Sequence, residues 1–127
     1  VKIDMARIGP SKQTKPERTV RMHLVSLGLR HSCNDRSLPG SPDLVVAHLR
    51  LAIFVDGRFW HCERTSKMRG MSAYWRAKLE ANARRDRRQR RRLRAMGWLV
   101  LRVWDDAVKR GAHRAAIARA VARASAS

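Results

Sequence analysis

An α/β fold of one domain, a small mixed β-sheet flanked by helices, is what this sequence predicts. Three observations predict it. Two short continuous apolar runs, Leu44–Ala47 and Leu49–Val55, have the composition of strands buried on both faces. Trp98–Trp104, WLVLRVW, is a further strand, set apart from them by a long helical pattern. Helical segments also open and close the chain, so the order reads helix, three strands, helix, strand, helix. A length of 127 residues suits a single domain with a modest core.

Each element follows from local chemistry. Residues 1–13 lack periodicity and read as a flexible basic arm; the body is expected over 14–124, with a short tail at 125–127. Thr14–Glu17, TKPE, is a helix start, with Thr14 as N-cap, Pro16 in the first turn and Glu17 at the capping-box position. Val20, Leu24 and Leu27 follow at helical spacing, and Gly28 suits the stop. Leu29–Cys33 is a first strand, and Asn34–Pro42, rich in Pro, Gly, Asn, Asp and Ser, is a loop. His48–Arg50 marks a tight hairpin between the two apolar runs. Residues 62–71 are polar and read as loop. A long helix runs from about Ser72 to Ala95 and Gly97 breaks it. A last helix, rich in Ala and Arg, is expected over about Asp106–Ala124.

The charge is extreme, with 29 Lys and Arg against 10 Asp and Glu, a net +19. Arginine predominates and pairs bidentately with phosphate. Such a surface favours a polyanion, with nucleic acid first and a membrane surface second. No apolar run approaches the roughly 18 residues of a membrane span, and no signal-peptide pattern opens the chain, so a cytoplasmic location without membrane attachment is expected. Two cysteines, Cys33 and Cys62, without CxxC spacing, exclude a disulfide framework.

Candidate chemistry gathers in Leu38–His61. Asp43 opens the first buried run, and Pro42 before it holds the backbone extended. A carboxylate there suits Mg²⁺, a hard cation that prefers oxygen ligands; a plain turn aspartate is the alternative. Asp56 follows the second run. Asp56–Gly57 has the form of a hairpin turn, yet no matching strand follows, which favours a strand-end site. Glu17 shares the face of Val20 and Leu24, where an acid needs a partner, a metal or a water, so it is either a cap, a supporting catalytic group, or both. His61, five residues beyond Asp56, is a candidate general base. Phe59 and Trp60 are adjacent and cannot both enter one core from a strand. From a loop they could wedge apart a base step, with Met5 of the arm as a weaker second wedge. The long helix presents Trp75, Leu79, Asn82, Asp86, Gln89 and Leu93 on one face, apolar at its ends and polar in the middle. That polar middle could meet a catalytic centre or a groove, and Asn82 could read a base edge. The helix arginines, eight of them within Arg84–Arg94, suit phosphate contacts, as do Lys78, Arg85 and Arg58.

The chain resembles the very-short-patch-repair (Vsr) DNA mismatch endonucleases over about Met5–Val108. The resemblance rests on TKPE (Thr14–Glu17), LPGSPD (Leu38–Asp43), FVDGRFWH (Phe54–His61), YWRAKLEANARRD (Tyr74–Asp86) and GWLVLRVW (Gly97–Trp104). It implies a restriction-endonuclease-like fold and an enzyme that nicks one DNA strand beside a T:G mismatch left by deamination of 5-methylcytosine. It implies Mg²⁺, with Mn²⁺ as a substitute, held by Asp43 and the main-chain carbonyl of Val55. It implies that His61 activates water with Glu17 near it, and that Phe59, Trp60 and Met5 intercalate. Asp56 stands where some members carry His and others Asp. The family also implies a bacterial, nucleoid-associated setting, a functional link to a DNA cytosine methyltransferase and contact with mismatch-repair proteins. Well-known members carry a structural zinc. Here Arg58 replaces the Cys before FWH and Asp106 stands where the last Cys is expected, so no four-ligand zinc site is expected.

The reading is therefore a Mg²⁺-dependent mismatch-nicking endonuclease. A same-fold endonuclease with a different mismatch, modified-base or restriction-type target is the first alternative. A basic DNA-binding protein without activity is the second.

Overall fold

The computed structural model describes residues 14–57 and 72–126, apart from the Trp75 side chain. Helix α1 spans Lys15–Ser26 and starts with the expected capping box. Thr14 Oγ1 accepts the Glu17 N–H and Glu17 Oε1 accepts the Thr14 N–H, both at 3.3 Å. Val20 and Leu24 are fully buried, but Leu27 is 49% exposed because the helix ends there. Leu29 turns back instead, its N–H donating to the Leu24 carbonyl at 3.0 Å, and packs against the core. Leu29 is thus spent on closing α1, and strand β1 is only Ser32–Cys33 rather than the expected Leu29–Cys33.

Strand β2 is Leu44–Val46 and β3 is Leu51–Asp56. Both are shorter than the apolar runs that announce them. The expected tight hairpin is a 3₁₀ turn over Ala47–Leu49, followed by Arg50 in the left-handed region at φ 52°. The Arg50 side chain holds that conformation from outside. Its Nη2 donates to the Met96 carbonyl at 2.8 Å, and its guanidinium lies 5.7 Å from the Trp98 ring. Helix α2 spans Ala73–Ala95, and β4 spans Leu99–Trp104. The single expected final helix is two: α3, Asp105–Lys109, and α4, His113–Ala126. Gly111 lies between them at φ +79°, a conformation that side-chain-bearing residues rarely take.

The four strands form one sheet in the order β1-β2-β3-β4. β1 and β2, and β2 and β3, pair antiparallel, with Leu44 opposite Ile53 and Val46 opposite Leu51. β3 and β4 pair parallel, from Leu51 opposite Leu99 to Asp56 opposite Trp104. Asp56–Gly57 is therefore no hairpin turn: the chain leaves β3, crosses through α2 and returns in the same direction.

Alternation divides the sheet between two sets of helices. On one face Leu44, Val46, Leu51, Ile53 and Val103 join Val20 and Leu24 of α1, Val108 of α3 and Ile117 and Ala120 of α4 in the main core. On the other face Val45, Ala52, Phe54 and Asp56 look towards α2, whose Leu93 is fully buried. The C-terminal ends of β3 and the loop before β2 meet on this second side, which is where the acids lie.

Candidate active site

Asp43 is placed by its neighbours. Pro42 and Leu44 on either side are fully buried. The Asp43 carbonyl accepts the Asn34 N–H at 2.9 Å and the Pro42 carbonyl accepts the Asp35 N–H at 3.2 Å, tying the loop back on itself. Gly40 sets how close this loop comes to α2. It sits at φ +80°, and a Cβ there would lie 3.1 Å from Gln89 Cβ and 3.4 Å from the Phe54 ring. A larger residue would push the loop, and Asp43 with it, away from the helix.

The Asp43 carboxyl reaches across to β3, where Oδ2 accepts the Val55 N–H at 2.7 Å. Glu17 approaches from the first turn of α1, near enough for the two carboxyls to act on each other electrostatically. The same Glu17 caps the helix, as the sequence predicts. Burial pushes the Asp43 carboxyl up from 3.8 to about 7; the Val55 N–H opposes this, and the neighbouring charges of Glu17 and Asp56 add to it. Burial likewise raises Glu17, against the Thr14 N–H hydrogen bond. Two carboxyls held together out of water resist ionising together.

Asp56 is close enough to act on Asp43 electrostatically but is bonded elsewhere. Its Oδ2 accepts Arg102 Nε at 2.8 Å, with both side chains 27% exposed. The Arg102 guanidinium lies 4.5 Å from the Trp104 ring. An arginine within the apolar run WLVLRVW was the signal for this pair, since a charge in a strand needs a partner.

A cavity of about 230 Å³ opens over these groups. Asp43, Val55 and Asp56 line its sheet side, Gly40 and Ser41 its loop side, and Asp86, Gln89 and Arg90 its helix side. The polar middle of α2 thus meets the acid centre. Arg90, which sequence patterning did not separate from the other arginines, is half-buried there. Asn82 is half-buried one turn away, while Lys78 and Arg85 are exposed, Lys78 Nζ standing 5.7 Å over the Tyr74 ring. His61, Phe59, Trp60, Arg58 and Met5 lie outside the described residues. Among the described residues no group of three or more His, Cys, Asp and Glu side chains is arranged to hold a metal, and no helix is long and apolar enough to cross a membrane.

The mixed sheet with an acid at the strand end facing a cavity is the architecture of the restriction-endonuclease-like fold. The homing endonuclease I-Bth0305I catalytic domain has this fold, with a TM-score of 0.64 at 19% identity over 88% of this chain and 98% of that domain. Residues 2–67 match the family of the DNA mismatch endonuclease Vsr, and the chain belongs to that family. It is 42% identical over 104 residues to the Type II nicking enzyme V.NmeDIP of Neisseria meningitidis serogroup C, covering 78% of this chain and 70% of the relative. It is 37% identical over 102 residues to the DNA mismatch endonuclease Vsr of Escherichia coli (strain K12), covering 78% and 65%. The protein is a DNA endonuclease, and its substrate is DNA.

Proposed function

We propose that this endonuclease nicks one strand of duplex DNA beside a T:G mismatch and so initiates very short patch repair. The observation that carries the reading is the Asp43 carboxyl, fixed by the Val55 N–H and crowded by Glu17 in an otherwise strongly basic chain. A centre whose carboxyls are costly to ionise is one that a cation relieves. In a strand the N–H and C=O of one residue leave on the same edge, so the Val55 carbonyl falls on the Asp43 side. One carboxylate, one main-chain oxygen and waters fit Mg²⁺, which keeps much of its hydration, with Mn²⁺ as a substitute. When bound there, a divalent cation supplies positive charge for the phosphate and the leaving oxygen.

The chain's own groups do the rest. Asp43, once deprotonated, is the carboxylate of the centre, and Glu17 holds its position and its proton balance. His61, carried from the family resemblance, takes the proton of the attacking water as the water adds to phosphorus and the bond to the leaving deoxyribose oxygen breaks. Phe59 and Trp60, with Met5, open the duplex at the mismatch, where unstacking costs least. Asn82, Lys78, Arg85 and Arg58 contact the DNA. The setting is the bacterial cytoplasm at the nucleoid, alongside a cytosine methyltransferase and mismatch-repair proteins.

The names of the relatives favour one other reading, a nicking enzyme with a different target. Nicking rates on T:G, other mismatched and fully paired duplexes with Mg²⁺ separate the two. Preference for T:G by tenfold or more supports mismatch repair; equal nicking of paired DNA overturns it. Asp43→Ala should lose nicking and keep DNA binding, and full activity in that variant refutes the metal assignment.

A further inference from the structure

Arg90 lines the cavity with no acid bonded to it among the described residues. Asp56, on the sheet side of the same cavity, is the carboxylate that could neutralise it, but Asp56 Oδ2 is taken by Arg102 Nε at 2.8 Å. Arg102 is held from two sides, by that carboxylate and by the Trp104 ring at 4.5 Å. The register explains the arrangement. Phe54 stands opposite Arg102 and Asp56 opposite Trp104, so Asp56, Arg102 and Trp104 share the α2 face of the sheet in one diagonal cluster. Asp86, the acid on the helix side, is exposed. No hydrogen bond or ion pair of Arg90 is formed among the described residues. Burial is the main influence holding its guanidinium below the usual range; Arg102 and Arg94 add repulsion, and Asp56 and Asp86 offset part of it.

We propose that Arg90 is a phosphate-contacting residue of the cleavage reaction, bonding a non-bridging oxygen of the phosphate held at Asp43, and that the Asp56–Arg102 pair is its positioning frame. This rests on the reading of Asp43 as the cleavage centre. The cavity then has two halves, an acid half at Asp43 and Glu17 that takes a cation, and a guanidinium half that takes the phosphate oxygen facing away from it. A phosphate relieves both charges against Arg90, its burial and its repulsion from Arg102. A guanidinium fork is suited to this contact and an ammonium is not its equal. Asp56 then acts on the reaction through Arg102, as a positioning residue.

The test is single-turnover nicking of the duplex that the wild-type protein nicks fastest, with full-length Arg90→Ala, Arg90→Lys, Asp56→Asn, Arg102→Ala and Asp43→Ala. Arg90→Ala should nick roughly 100-fold more slowly, with DNA affinity within about threefold, and Arg90→Lys should recover only part of the rate. Sulfur replaces each non-bridging oxygen of the scissile phosphate in turn. For the diastereomer whose slowing Mn²⁺ does not relieve, the penalty should shrink towards one in Arg90→Ala, a change that loss of structure does not produce. Asp56→Asn and Arg102→Ala should slow nicking by equal factors, and the double variant by no more than either. If Asp43→Ala nicks like the wild type, the cleavage centre is misplaced and the inference falls with it. If Asp43→Ala is inactive while Arg90→Ala stays within threefold and keeps the full sulfur penalty, the inference alone is overturned.

Discussion

Asp43→Asn should make the metal-free protein more stable while removing its activity. Asparagine keeps an oxygen to accept the Val55 N–H, which Asp43 Oδ2 accepts at 2.7 Å, and gains an amide that can donate to Glu17. It loses only the charge. A rise in the Asp43 carboxyl from 3.8 to about 7 corresponds to about 4 kcal/mol at 1.36 kcal/mol per pH unit. Glu17 carries part of that cost and the centre relaxes when one charge goes, so about 2–4 kcal/mol is the expected gain. The cost belongs to the ionised form. It is absent below about pH 4, where Asp43 is protonated folded and unfolded alike, grows as pH rises, and is complete above about pH 7. Urea unfolding of both proteins in EDTA at pH 5 and pH 8 measures it, and the advantage of the variant should be about two- to threefold larger at pH 8. Adding Mg²⁺ at pH 8 should stabilise the wild type and leave the variant unmoved. A variant no more stable than wild type at pH 8, or equally favoured at both pH values, refutes the account of this centre.

Three further outcomes follow from the same geometry. Glu17→Gln keeps the capping box, which accepts Gln as well as Glu, and removes one charge beside Asp43. The pH midpoint of Mg²⁺-induced stabilisation should therefore move down, and an unchanged midpoint denies the contact. Gly40→Ala places a side chain in the left-handed region and a Cβ 3.1 Å from Gln89 Cβ. It should cost about 1–2 kcal/mol, or ~4–8 °C in Tm by calorimetry, and slow nicking through displacement of Asp43. His113, 3% exposed with Nδ1 unpartnered among the described residues, lies 5.5 Å from the His23 ring. Burial chiefly, then His23 and Arg114, lower its pKa from 6.5. Because the folded state resists protonation there, stability should fall as pH drops below about 6.5, and His113→Leu should flatten that slope in urea midpoints compared at pH 7 and pH 5.

Much of the scaffold was legible because it is local. TKPE specifies a capped helix start through backbone donors within one turn. The apolar runs specify strands through their own composition, and the polar interruption of the α2 face between Leu79 and Leu93 marked where that helix faces a cavity rather than core. Element ends were less legible, since they depend on partners far along the chain. β1 is short because Leu29 is recruited to close α1, and the turn before β3 is 3₁₀ because Arg50 reaches Met96. The final helix divides at a glycine whose weight no periodicity reveals.

The α/β class, the Glu17 cap and the strongly basic composition were determined by the sequence itself, because residue type, spacing and charge suffice for them, and the same sequence singled out Asp43 as a candidate. The state of those residues was decided by tertiary structure alone. Glu17 lies 26 positions before Asp43, and only the packing of α1 beside the sheet brings their carboxyls together and lifts Asp43 to about 7. Asp56 reads in sequence as a strand-end site or a hairpin turn, and the parallel register of β3 and β4 sets Arg102 against it. Arg90 was one arginine among many until the fold set it, half-buried, beside the acids of the cavity. Electrostatic energies depend on distance and burial in three dimensions, and neither is written in the order of residues.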